Sequence, residues 1–570
     1  MARYVLGIGG LVHDSSAALI KDGELIVAIQ EERLTRQKHV GGFPFKAVDF
    51  CLKYAKINYV EIEAVAIYTK KNHLLRMVID NLKEYFCRYR NFSNILFFSL
   101  GIYYRLKRLN RYYRDLRKAY LLIPKNKYYF VDHHDAHVAS AFLVSPFSEC
   151  LILCVDAVGD GHCTSVYSGN KNDIKRIIDI RYPNSISHIY TLITQYLGFY
   201  GRGNQYKVMG LSSYGVPKYY EQLKEIISFN DNGYELQQKY YDMKHGIVFS
   251  SYFYKIFGPA RKKDEDIADR HADMASSMQK LFEDVVYHIC KLAKKKHFSD
   301  NFCMTGGSAL NCVLNGKLIT KKIFKNVFIP PGASDCGTAI GAAFYYNNIK
   351  CGNGRNFLLK HDYWGNEFSN TKVQNKLDEL SINYKYVKDP AKTAALALTE
   401  DKIVGWFQGR MEYGPRALGN RSILADPRSK RNKDRINQTI KFREEFRPFA
   451  PVILNEYVDD YIEKPNCLSP FMTHTFLVKS QKRSKIPSVV HVDGSARLQT
   501  VGEYDNELFY KLIKGFYELT GIPVVLNTSF NLAGDAMVCY IEDAISTFNK
   551  SAIDVLIIGD FVITKENNNV

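Results

Sequence analysis

The chain has 570 residues, 46% of them hydrophobic and 24% charged. That balance excludes a disordered or fibrous protein, and the length exceeds one ordinary domain of about 100 to 200 residues, so two large domains or three to four units are expected. The formal net charge is +18, and the twelve cysteines contain no Cys-x-x-Cys pair, which argues against a zinc ribbon or disulfide framework and for reduced thiols in the cytoplasm.

The opening residues, MARYVLGIGGLVHDSS, read as a strand entering a glycine turn, without the long apolar core and cleavage site of a signal peptide. YVLGIGGLVHDSSAALIKDGELIVAIQEER continues as strand, turn, strand, Asp-Gly hairpin and strand. Basic residues then concentrate between about 70 and 130, where YYRLKRLNRYYRDLRKAY predicts a solvated amphipathic helix in an insert over about 72–125. Its alternation of basic and aromatic residues would also serve a membrane surface or a nucleic acid. The preceding NILFFSLGIYY is far shorter than the roughly 20 residues that span a bilayer, so peripheral membrane contact is the most it supports.

In HHDAHVASAF, helical spacing puts His133 and His137 on one face, with Val138, Ala141 and Phe142 turned inward. Two readings stay open: half of a metal site, or two histidines satisfied at a helix start. From Cys150, CLILCVDAVGDGHCTSVYSGNKNDIKRIIDI repeats the strand, turn and hairpin order, with Asp156 at the strand end and Gly159, Asp160 and Gly161 in the turn. FCMTGGSALNCVLNGKLI runs a strand through Gly306 and Gly307 into a helix, whose start offers N–H groups to an anion. VFIPPGASDCGTAIGAAFYY places Ser334 or Asp335 at a helix cap, where Asp335 is either a cap or a ligand.

After about Tyr346 the texture turns polar and glycine-containing, which places the boundary between about residues 350 and 390: a domain over 1–355, a linker over 356–385 and a domain over 386–570. The second domain carries cationic motifs. GWFQGRMEYGPRALGNRSILADPR holds Arg410, Arg416 and Arg421 among glycines, KFREEFRPFAPVI holds Lys441, Arg443 and Arg447, and Arg497 lies in GSARLQT. VVLNTSFNLAGDAMV ends an apolar strand in Asn527, Thr528, Ser529 and Asn531. Arginines from separate loops that bind phosphate bidentately would form a polyphosphate pocket.

The duplicated strand, turn and hairpin unit resembles the actin, sugar-kinase and Hsp70 superfamily. Together HDSSAALIKDGELIVAIQEERLTRQKH, HHDAHVASAFLVSPF, VDAVGDG, YKVMGLSSYG, MTGGSALNC, SDCGTAIGAAF, GRMEYGPRALGNRSILADPR, KFREEFRPFAPVI and LNTSFN resemble the O-carbamoyltransferase family of nodulation-factor and antibiotic biosynthesis, over nearly the whole chain. The resemblance implies an α/β protein. Its N-terminal domain would be a duplicated actin-like (ASKHA, RNase H-like) domain similar to the catalytic subunit of tRNA threonylcarbamoyl transfer. Its C-terminal α/β domain would be similar to the YrdC-type threonylcarbamoyl-adenylate synthase.

The implied chemistry is ATP-dependent O-carbamoyl transfer. Carbamoyl phosphate and ATP, the latter with Mg²⁺, would give carbamoyl adenylate, whose carbamoyl group passes to a hydroxyl of a sugar, polysaccharide or natural-product acceptor. The resemblance assigns His133, His137, Asp156 and Asp335 to one divalent metal, Fe²⁺ or another, that holds the adenylate phosphate. It assigns Gly159, Asp160, Gly161, Lys207, Gly306, Gly307 and Asn311 to the nucleotide in the N-terminal domain. Arg416, Lys441, Arg447, Arg497, Asn527, Thr528, Ser529 and Asn531 would hold carbamoyl phosphate and ATP in the C-terminal domain. His13 and Asp14 are expected to activate the acceptor hydroxyl, with simple closure of the turn as the alternative. Gln205 stands where this family is expected to have glutamate; if that carboxylate helps bind a cationic acceptor or a metal, the neutral amide would shift acceptor choice. A tRNA threonylcarbamoylation enzyme and a non-catalytic nucleotide-binding scaffold are the competing functions. The arginine motifs speak against the former, so no nucleic-acid partner is expected; a homodimer is compatible with the resemblance.

Overall fold

The computed structural model describes residues 2–71, 95–242, 248–464 and 468–565; the first part of the expected insert, 72–94, lies outside them. The first sheet contains β1 (Tyr4–Gly9), β2 (Ser16–Lys21), β3 (Glu24–Gln30), β4 (Ile62–Ile67) and β5 (Tyr128–Phe130) in the order β3-β2-β1-β4-β5. β2 is antiparallel to both its neighbours, whereas β1, β4 and β5 run parallel. Asp22 and Gly23 both take positive φ between β2 and β3, as a two-residue hairpin requires.

The second sheet repeats this plan. β6 (Glu149–Gly159), β7 (His162–Asn170) and β8 (Asp173–Arg181) form the antiparallel hairpins. Two small ribbons follow, β9 (Ile227–Asn230) with β10 (Gly233–Leu236), and β11 (Tyr241–Asp242) with β12 (Val248–Phe249). β13 (Asn301–Thr305) and β14 (Asn326–Phe328) then add in parallel, giving the order β14-β13-β6-β7-β8. The duplication read from the sequence is therefore present in strand order and direction alike.

Two short helices rich in small residues join the halves. His133–Phe142 packs on β6 and Thr338–Phe344 on β1, and the two helices pack on each other. A Cβ on Gly341 would lie 1.8 Å from the Ala136 carbonyl oxygen, so the approach requires glycine. The first helix starts cleanly because the Asp132 side chain accepts the backbone N–H groups of His134 and Asp135.

The third sheet is mixed and larger, formed by β15 (Lys385–Tyr386), β16 (Val404–Phe407), β17 (Arg421–Ala425), β18 (Ala450–Leu454), β19 (His474–Leu477), β20 (Ser495–Val501), β21 (Val524–Ser529), β22 (Val555–Ile558) and β23 (Phe561–Thr564). Its order is β15-β23-β22-β16-β17-β21-β18-β20-β19. The stretch read as a linker carries a helix, Asn370–Glu379, because Val373 and Leu377, four residues apart, bury one face in this domain's core. The two domains touch where helix Cys312–Thr320 lies on β19; Asn315 Nδ2 donates to the Thr473 carbonyl at 2.8 Å. No described helix is long and apolar enough to cross a membrane, and the described cysteines are unbridged.

Candidate functional site

The strand ends and helix starts of the duplicated domain converge. His133 and His137 project from one face of their helix, Asp156 comes from β6, and Asp335 precedes helix Thr338–Phe344. Their ligand atoms all lie within 4.8 Å of one another. His133 Nε2 is 3.2 Å from Asp156 Oδ2, 3.1 Å from His137 Nε2 and 3.7 Å from Asp335 Oδ1, which in turn is 3.5 Å from His137 Nε2. Two ring nitrogens facing each other at that distance cannot both present bare lone pairs, so a proton or a cation must lie between them.

Burial opposes the charging of His133, yet its hydrogen bond to Asp156 and the Asp335 and Asp156 charges raise it to about 9. Burial likewise opposes ionisation of Asp156, but His133 and His137 hold it well below the usual carboxylate range. Two imidazole nitrogens and two carboxylate oxygens in one small volume fit a divalent first-row cation. A Cβ on Gly159 would lie 2.1 Å from His133 Cδ2, so only glycine lets β6 pass the ring.

Beside this group sits the turn after β1. His13 Nδ1 is 2.9 Å from Asp14 Oδ2, His39 Nδ1 is 2.8 Å from Asp14 Oδ1, and His13 Nε2 points toward Asp335 Oδ2 at 3.7 Å. Asp14 takes a left-handed φ of 55° to make this possible. Burial works against the charged forms of both groups, but the two histidines hold Asp14 low, and Asp335 and Asp14 raise His13. A cavity of about 450 Å³ opens over these residues, lined also by Tyr68, Tyr112, Asp115 and Arg202.

The expected nucleotide residues separate into roles. A Cβ on Gly307 would lie 3.2 Å from Asp156 Oδ1, so the Gly306–Gly307 turn abuts the histidine and carboxylate cluster, outside the cavity lining. Asp160 accepts from Thr69 Oγ1, from the Lys70 N–H and from the His133 N–H at 2.8 Å, which anchors the helix start. Gly161 takes positive φ after it. Asn311 caps helix Cys312–Thr320 and exchanges hydrogen bonds with Gln279. Lys207 reaches the other domain, 2.6 Å from Glu444 Oε1.

A second cluster is dominated by cations. Burial lowers Arg416, Arg443 and Arg497, and each is lowered further by neighbouring arginines, Arg447 among them in every case. Arg447 stacks over the Tyr206 ring at 4.4 Å and lies 3.6 Å from Glu444. Arg416 and Arg497 form no ion pair among the described residues. Four arginines beside one carboxylate, Glu444, among the described residues carry an excess of positive charge that suits an anion. Lys441 donates to the Ser529 and Asn531 carbonyls at 2.6 and 2.9 Å and to Asn531 Oδ1, tying down the loop after β21. Asn527 donates to Ala417 and Gln499, beside Arg416, while Thr528 pairs with Ile423 in the sheet.

Two arginines of the same motif stand apart. Arg421 is fully buried and donates to the carbonyls of Gln408, Gly409, Asn420 and Asn366. Arg410 donates to those of Gly365, Ile26 and Trp364. Both brace loops, because buried backbone carbonyls need donors.

The family model described as Carbamoyltransferase N-terminus matches residues 4–344, and that described as Carbamoyltransferase C-terminus matches residues 395–565. The chain belongs to the carbamoyltransferase family. An uncharacterized protein of Synechocystis sp. is 36% identical, covering 99% of this chain and 97% of the relative. Nodulation protein NolNO of Sinorhizobium fredii is 34% identical over 97% of this chain and 79% of its own length. Among solved structures, full-length HypF in its phosphate- and nucleotide-bound form aligns with 61% of this chain and 55% of HypF at 13% identity, with a TM-score of 0.33, too remote to bear on fold or activity.

In this carbamoyltransferase the N-terminal match holds the histidine and carboxylate cluster, and the C-terminal match holds Arg416, Arg443, Arg447 and Arg497. Sequence reading passed over Lys38, which adds its charge against Lys441, and Glu32, which accepts from the His39 N–H at 2.9 Å. It also passed over His39, Tyr112, Asp115 and Arg202. Lys38 and His39 stand in the quoted stretch RQKH, where a basic run beside a histidine was the available signal. Gln205 lies outside the cavity lining and donates to Thr191 Oγ1 at 3.0 Å.

Proposed function

We propose that the protein is an ATP-dependent O-carbamoyltransferase with two coupled sites. The observation that carries this reading is the pairing of an arginine-rich cluster in one domain with a histidine and carboxylate cluster beside a cavity in the other. Lys38–His39 and Arg202–Lys207 run between them. Family membership supplies the transferred group.

In the C-terminal domain, Arg416, Arg443, Arg447 and Arg497 offset the charge of carbamoyl phosphate and Mg²⁺-ATP, two anions that would otherwise repel. Water converts carbamoyl phosphate into carbamate and phosphate. A carbamate oxygen then attacks the α-phosphorus of ATP and pyrophosphate leaves, giving carbamoyl adenylate. Keeping this labile anhydride within one chain shields it from solvent.

In the N-terminal domain, His133, His137, Asp156 and Asp335 would hold Fe²⁺ or another divalent metal, which supplies positive charge for the adenylate phosphate. The Gly306–Gly307 turn offers backbone N–H groups on the far side of Asp156. Asp14 accepts from His13 Nδ1, which leaves His13 Nε2 to take the acceptor proton as the hydroxyl oxygen attacks the carbamoyl carbon and the bond to AMP breaks. His39, bound to the other Asp14 oxygen, fixes that carboxylate. The duplicated sheets support an actin-like reading of this domain, and the mixed third sheet is compatible with a YrdC-type adenylate-forming domain. The unbridged cysteines among the described residues accord with a reducing, cytoplasmic setting.

The test is to supply the purified chain with ATP and carbamoyl phosphate and to measure pyrophosphate and phosphate. Release of both without tRNA or threonine is expected. No release, or a strict requirement for tRNA and threonine, overturns the reading.

A further inference from the structure

Helix Ile95–Leu122, in the basic and aromatic insert, has two unlike faces, one of which the transfer chemistry does not use. It carries seven lysines and arginines and a single carboxylate, Asp115. Tyr112, Asp115, Leu116 and Ala119 are buried on the side that meets the core of the first domain and the cavity. Lys107, Arg111, Arg114, Lys118 and Leu121 follow one another at spacings of three and four residues, with Arg117 and Leu122 beside them, and all are exposed. The helix's own carboxylate lies on the inner side, so its outer face is cationic.

Most of these charges are not balanced within the molecule. Arg111 and Arg114 share Asp115, at 3.7 and 3.6 Å, and Arg111 also donates to the Gly41 carbonyl. Lys107, Arg117 and Lys118 pair with no carboxylate among the described residues. Two leucines end the cationic row: Leu121 is 87% exposed and Leu122 42% exposed. Val60, 81% exposed, stands at the same edge of the first sheet, because β4 and β5 start there in parallel and Lys127 donates to the Val60 carbonyl at 2.9 Å.

A row of cations ending in bare aliphatic side chains complements an anionic lipid surface, where ammonium and guanidinium groups meet the headgroups and leucine enters the acyl boundary. A single-stranded nucleic acid would instead call for aromatic rings turned outward for base stacking. The described tyrosine side chains of this helix turn the other way: Tyr112 is buried in the core, and Tyr113 and Tyr120 pack against it, Tyr120 edge-on to Tyr128 at 4.7 Å. No described helix can cross a bilayer, so contact would lie in the plane of the surface. Arg111 belongs to the exposed row and also lines the cavity, which puts the cavity beside the docked surface.

We propose that the outer face of helix Ile95–Leu122 docks the protein on an anionic phospholipid surface, with Lys107, Arg111, Arg114, Arg117 and Lys118 against the headgroups and Leu121 in the acyl boundary. Docking does not depend on the transfer reaction, and its test reads binding alone. The full chain would be sedimented with vesicles of phosphatidylcholine alone and of phosphatidylcholine with about one-third phosphatidylserine. Binding to the anionic vesicles should be at least about tenfold tighter and should weaken as salt is raised. The triple variant Lys107→Gln, Arg117→Gln, Lys118→Gln should bind about 10²-fold more weakly, each charge contributing about fivefold. Leu121→Gln, which leaves the charge unchanged, should lose about tenfold. Lys291→Gln, Lys295→Gln, Lys296→Gln makes the same charge change at exposed positions of another helix, Asp269–Lys296, and should bind like the unmodified chain. Circular dichroism should be the same for all, since every substituted side chain is exposed. Equal binding to neutral and anionic vesicles, binding to neither, full binding by either variant of the outer face, or an equal loss in the remote triple variant overturns the proposal. Tighter capture of a short single-stranded RNA that Leu121→Gln does not weaken overturns it as well.

Discussion

The two clusters of this protein solve opposite electrostatic problems. In the N-terminal domain, imidazoles and carboxylates stand against one another, so protons or a cation can balance the group from within. In the C-terminal domain, burial and neighbouring arginines, Arg447 among them, lower Arg416, Arg443 and Arg497, while Glu444, the carboxylate that the described residues place beside them, is shared between Arg447 and Lys207. A mixed cluster is poised for a cation, and a like-charged cluster is stable only when an anion arrives. That contrast assigns a different kind of ligand to each domain before any reaction is written.

The sharpest way to break the contrast is His137→Ala. It should drop the bound metal, measured by elemental analysis, and reduce carbamoyl transfer to background while pyrophosphate release continues. Equal loss of both half-reactions in a folded protein would merge the two sites into one. The reciprocal variant, Arg416→Met, should lower pyrophosphate release by about 10²–10³-fold, the loss typical of removing one preorganised electrostatic group. It should also raise the apparent Tm in anion-free buffer, because one repelling charge is gone, and weaken the stabilisation that added pyrophosphate gives the unmodified chain.

Gly159→Ala tests the packing that orients the first cluster. The new methyl group would push on the His133 ring, and a displaced ligand should lower metal affinity and transfer by about 10–100-fold. Normal metal content in that variant would show that β6 can move aside.

The smallest effect concerns the edge strand next to Arg497. Burial lowers His474 to about 4, and its Nε2 has no partner. Since the unfolded chain binds this proton near pH 6.5, stability is lost as pH falls from about 6.5 toward 4, by about 2 kcal/mol between pH 7.5 and pH 5. His474→Gln should flatten the Tm of the C-terminal domain across that range, and an unchanged slope would exclude His474 as the acid-sensitive group.

Much of this was legible in the residues. The Asp-Gly hairpin, the two strand and turn repeats and the helical spacing of His133 and His137 are local patterns, because hairpin φ angles and helix periodicity depend on neighbours in the chain. The arginine motif shows the limit of such reading. Arg410, Arg416 and Arg421 lie in one glycine-rich stretch with similar local chemistry, yet Arg416 joins Arg447 and Arg497 while the other two hold backbone carbonyls. Nothing within that stretch distinguishes them, since the partners of Arg410 come from as far away as Ile26.

By itself, then, the sequence determined the duplicated N-terminal plan, the histidine pair and the cationic character of the C-terminal domain, all carried by periodicity and composition. Only the tertiary structure decided which charges meet: that Asp156 and Asp335, 179 positions apart in the numbering, close on the same two histidines; that Lys38 faces the other domain's cations; and that the insert helps to line the cavity. Distances of a few ångströms between remote residues follow from the packing of sheets and helices, which no local pattern encodes.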